Sequence, residues 1–76
     1  MAAPALEDKY QFRTEWSEED QEWVGLCDAF PLMSWLEPDR EAAETGIRSV
    51  VAEAIEILKA EGKPLPPPSR PMNDQS

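Results

Sequence analysis

The sequence predicts an α+β fold, a three-stranded antiparallel meander covered on one face by one long helix. Two observations carry that expectation: a two-residue alternation of side chains from Tyr10 to Trp16, and a helical period that runs from Asp39 to Gly62. A third is length, because 76 residues make one domain near the lower limit for a self-sufficient core, so self-association is expected. Residues 1–8 read as a flexible leader, 9–69 as the domain and 70–76 as a disordered tail.

In the first strand Tyr10, Phe12, Thr14 and Trp16 share one face, and Gln11, Arg13 and Glu15 the other. Ser17 to Gln21 (SEEDQ) is too charged to bury and turns the chain back into a hairpin. The return strand, Glu22 to Asp28, sets Trp23, Gly25 and Cys27 against Val24, Leu26 and Asp28. We expect Val24 and Leu26 to face the core, which leaves Trp23 exposed on an outer sheet face, and Gly25 to mark a bulge or a close backbone approach. Phe30-Pro31 interrupts the pattern, since proline cannot donate to a ladder, and a shorter third strand follows at Leu32 to Leu36.

Asp39, after Pro38, is the expected helix N-cap, with Glu41 and Glu44 near the positive end of the helix dipole. Ala43, Ile47, Val50, Ala54 and Ile57 recur at four-three spacing, and Val51, Ile55 and Leu58 widen that stripe. Glu44 and Arg48 form an exposed pair four residues apart, and Gly62 ends the helix in a left-handed conformation. A span of about 22 residues, or roughly 33 Å, would cross the sheet and overhang it. Beyond it Lys63 to Ser69 (KPLPPPS) is stiff and extended; it could add Leu65 to a sheet edge as a short fourth strand, or serve as a ligand for an aromatic groove.

Charge narrows the partners. Seven basic and 16 acidic residues give a net charge of −9, which disfavours direct contact with nucleic acid or anionic membranes and favours encounter with a basic protein. One cysteine, Cys27, allows no internal disulfide, and with no secretory signal or membrane-length apolar run the expected location is cytoplasmic. Histidine is absent, so the commonest general base and zinc ligand are missing; we expect no catalysis, no metal and no cofactor. Cys27, beside Asp28, reads as structural rather than nucleophilic. The candidate partner-binding residues are therefore Trp16, Trp23 and Trp35 as aromatic anchors, with Glu18, Glu19 and Asp20 as a turn that steers a basic partner.

The order of these elements, together with the words EWVGLCDAFP, MSWLEPDREAA and GIRSVVAEAIEILKAEGKPLPPPS, resembles the HicB-like antitoxin domain over roughly Lys9 to Ser69. Ala42 and Ala43 match the family's helix start, and Gly62, Leu65 and Pro66 its closing segment; Trp35 and Glu37 stand where other members carry a loop glycine. The resemblance implies a partial ribonuclease-H-like unit without that enzyme's carboxylates, which binds and occludes a small basic RNA-cleaving toxin of the HicA type. Many members continue into a DNA-binding module; here the chain reaches Ser76 soon after the proline segment, so operator binding is not expected. The alternative is an orphan homo-oligomeric domain with a structural or ligand-sensing role.

Overall fold

A computed structural model describes residues 9–67. The expected leader and tail, with residues 68 and 69 of the expected domain, lie outside them. The elements follow the order β1 (Phe12–Ser17), β2 (Glu22–Cys27), β3 (Ser34–Glu37) and α1 (Arg40–Ala60). The strands form one antiparallel sheet in the order β1-β2-β3, and α1 packs across it, chiefly over β2. This is the α+β meander with one covering helix.

Register decides which side chains meet the helix. Phe12 stands opposite Cys27, Thr14 opposite Gly25, and Trp16 opposite Trp23; on the far side of β2, Trp23 faces Glu37 and Gly25 faces Trp35. Opposed residues share a face, so Phe12, Thr14, Trp16, Trp23, Gly25, Cys27, Trp35 and Glu37 occupy one side. Gly25 and Cys27 are buried there, and a Cβ built on Gly25 would lie 2.8 Å from Cγ2 of Ile47. The helix thus covers the Trp23-Gly25-Cys27 face. The expectation that Val24 and Leu26 point to the core is wrong: they lie on the outer face with Leu36. Glycine prevails over two larger apolar residues because only a position without a side chain lets the helix backbone come this close.

Two strand boundaries also move. Tyr10 is 3 % exposed and belongs to the core, but it precedes the ladder, which starts at Phe12. The third strand begins at Ser34, not Leu32. Ahead of it the Phe30 N–H donates to the Cys27 carbonyl (3.1 Å) and the Met33 N–H to the Phe30 carbonyl (3.0 Å). The second of these tight turns uses the Met33 N–H that a longer strand would need, and Leu32 is left fully in solvent.

The helix starts and stops as its sequence requires. Asp39 is extended (φ −113°, ψ 135°) and its Oδ2 accepts from the Ala42 N–H at 3.2 Å. At the other end Gly62 has φ 71°; its N–H donates to Lys59 O (3.1 Å), and the Lys63 N–H donates to Leu58 O (2.9 Å). That pair of bonds is a Schellman closure, which satisfies carbonyls the helix would leave open. Glu44 and Arg48 pair at 3.6 Å. The buried line, however, is Ala43, Ile47, Val51 and Ile55, whereas Ile57, placed in the stripe by its spacing, is 56 % exposed. A strict four-residue row is inclined to the helix axis, and an inclined ridge matches a twisted sheet better than a stripe parallel to the axis.

With 21 residues, α1 spans about 32 Å, against roughly 20 Å for the six-residue β2. The core therefore extends past the sheet. Tyr10, Cys27, Ile47, Val51 and Ile55 form its centre, and Phe12, Ala29, Phe30, Met33 and Leu65 pack against it. Tyr10 and Phe30 meet edge to face, with ring centroids 5.7 Å apart. Over its described residues, 63–67, the closing segment reaches the core without forming the fourth strand: the Tyr10 hydroxyl donates to the Pro66 carbonyl at 2.8 Å, and Leu65 is half-buried. Across residues 64–67 only Leu65 has an N–H, since 64, 66 and 67 are proline, so these residues have little to offer a ladder.

Candidate partner-binding face

The helix-facing side of the sheet carries all three tryptophans, and it buries none of them completely. The two-residue period and the hairpin register put Trp16 beside Trp23, where their rings meet edge to face at 5.6 Å. Trp16 remains 44 % exposed, and its indole N–H donates to Glu18 Oε1 (3.0 Å). Trp23 lies deeper, with the Arg40 guanidinium 5.8 Å from its ring centroid. It is thus part of the helix face and not an exposed outer-face anchor. Trp35, on β3, is 38 % exposed, packs against the helix at Gly46, and donates its indole N–H to Glu37 Oε2 (2.8 Å).

The acidic turn divides its labour. Ser17 Oγ donates to Asp20 Oδ2 (2.8 Å) and accepts from the Asp20 N–H (3.3 Å). Gln21 adopts φ 55°, and its amide donates to the Glu18 carbonyl (2.8 Å) and to Glu18 Oε2 (3.2 Å). Glu18 is thereby tied to Trp16 and to the turn, whereas Glu19 is exposed. Among the described residues no group of three His, Cys, Asp or Glu side chains could hold a metal ion. The structure thus joins Trp16, Trp23 and Glu18 in one cluster and places Trp35 in another, on Gly46.

Several residues that shape this face were missed by the reading of the sequence. Gly46 is the clearest: a Cβ there would lie 2.6 Å from Trp35 Cε2, so the indole occupies the space a side chain would need. A glycine inside a helical pattern, at a cost of about 1 kcal/mol relative to alanine, was the available signal. Arg40 and Arg48 were also missed as ring caps; Arg48 stands 4.7 Å from the Phe12 centroid. Counting across the SEEDQ hairpin would have placed Trp23 beside Trp16. On the opposite, outer face Arg13 pairs with Glu15 (3.0 Å) and with Asp28, and the bond to Glu15 is the first cause of a raised Arg13 pKa.

Cys27 is enclosed in the core, where a partner or substrate cannot reach its sulfur. Burial, and then the neighbouring Cys27, push the Tyr10 hydroxyl pKa above its ordinary value. Both belong to packing. No described helix is long and apolar enough to cross a membrane. Compared with family models, curated proteins and solved structures, the chain gives no match.

Proposed function

We propose that this domain is a non-catalytic, cytoplasmic protein-binding module that acts as a HicB-like antitoxin, covering a small basic RNA-cleaving toxin of the HicA type. The observation that carries the reading is the pairing of half-exposed indoles with carboxylates, Trp16 with Glu18 and Trp35 with Glu37, on a chain of net charge −9. Large aromatic rings held in place by their own hydrogen bonds supply contact area at low entropic cost, and the acidic field draws in a basic partner. The order of three antiparallel strands followed by a helix supports the partial ribonuclease-H-like assignment. Co-expression with a small basic protein encoded beside it should relieve that protein's toxicity and yield a stable complex. If the partner still cleaves RNA when saturated with this domain, occlusion is the wrong mechanism.

A second reading, the orphan homo-oligomer, draws on the outer sheet face, where Val24, Leu26 and the 39 % exposed Leu36 cluster away from the helix. A second copy seated there should give a dimer in sedimentation equilibrium that Leu36→Glu dissociates. Tryptophan emission is a poor probe of this contact, because all three indoles lie on the other side. A monomer at all accessible concentrations eliminates this reading.

A further inference from the structure

Three of the aromatic rings on the helix-facing side differ in what lies over them. Phe12 on β1 has Arg48, and Trp23 on β2 has Arg40, each supplied by α1. Trp35 on β3 has one side against Gly46 and faces an open groove of about 510 Å³ between β3 and the first turns of the helix. That groove is lined by Glu37, Asp39 and Glu41 together with Trp35, Thr45 and Gly46, and among the described residues no basic side chain lines it. Building on the protein-binding reading above, we infer that the groove receives an arginine or lysine side chain of a basic partner protein, laid over Trp35 and between these carboxylates.

The chemistry is complementary at each contact. An indole is the best aromatic acceptor for a cation, and the molecule already uses that contact once, at Trp23. Glu37 spends one oxygen on the Trp35 indole N–H and Asp39 spends one on the Ala42 N–H. Each carboxylate keeps further lone pairs for a guanidinium or ammonium. The positive end of α1 opposes a cation by about half a charge, against three carboxylates, so the groove stays negative. Gly46 matters to the shape: any larger residue would lift the indole that forms the floor.

The test is a titration of the full 76-residue, nitrogen-15-labelled chain with blocked hexa-arginine. We expect saturable binding, with the largest shifts at the Trp35 indole N–H, Thr45 and Gly46. Glu37→Gln with Glu41→Gln should weaken it about tenfold. Glu53→Gln with Glu56→Gln, which removes the same charge from exposed positions further along the helix, should change it by less than about twofold. Equal weakening by the two pairs, or largest shifts at the Glu18–Asp20 turn, overturns the inference. So does a basic partner whose affinity is unchanged by the Glu37/Glu41 variant, although that result leaves the protein-binding reading standing. Absence of binding to any basic partner removes both. Matching circular dichroism of the two double variants keeps a folding defect from posing as a binding defect.

Discussion

Towards its C-terminal end α1 contributes Val51 and Ile55 to a core closed by Tyr10, Phe30, Met33 and Leu65, whereas its first turns ride over Gly25 and Trp35 and leave indole rings in contact with solvent. The same helix thus serves stability at one end and display at the other. The difference comes from what the chain sets beneath each half. Past the sheet, loops and the closing segment wrap the helix; over the sheet, two glycines bring backbone and ring so close that large side chains are pushed to the margin.

The largest effect should separate a covered from an exposed position within the C-terminal half of the helix. Ile55→Ala should cost about 2–5 kcal/mol in urea unfolding, while Ile57→Ala, at an exposed site, should stay within about 0.5 kcal/mol. Next come the glycines. Gly25→Ala would set a methyl against the Ala43 carbonyl, which cannot swing aside, and should cost about 1–3 kcal/mol. Gly46→Ala would gain about 1 kcal/mol on helix propensity alone, yet displacement of Trp35 should make it destabilising and alter the indole emission; in a Trp35→Ala background its sign should revert to stabilising.

Smaller effects test the closures. Tyr10→Phe removes the bond to the Pro66 carbonyl and should cost about 0.5–1.5 kcal/mol. Since the folded state raises the Tyr10 pKa above 10.0, its proton contributes stability in full below that pH and loses it as pH rises through the folded value. Alkaline unfolding midpoints should therefore fall less steeply in Tyr10→Phe than in the parent. At the hairpin tip, Gln21→Gly relieves a left-handed residue (φ 55°) but gives up two amide bonds to Glu18. A small rise in Tm, worth about 0.5 kcal/mol, is expected in calorimetry.

Local chemistry was readable from the chain: alternation in β1, the acidic hairpin, the Asp39 cap and the Gly62 stop each depend on neighbours a few residues away. The candidate site was readable only as residue types. Trp16, Trp23 and Trp35 were named, but not that one face holds them or that Gly46 makes the seat for Trp35. Ranking by hydrophobicity sent Val24 and Leu26 inward, because a glycine's value lies in the approach of another element and that element is not visible locally. The four-three stripe likewise included Ile57, since periodicity along a helix carries no information about the twist of the sheet it will meet.

The sequence by itself determined the type and order of the main elements, the ends of the helix and the acidic, histidine-free surface chemistry, because these follow from short-range sterics, capping and charge. Only the tertiary structure decided which face of β2 lies under the helix, that Tyr10 and Pro66 close the far end, and that Trp35 opens onto a carboxylate-lined groove. Those outcomes depend on register and on close packing between segments far apart in the chain, where one missing side chain sets the position of several large ones.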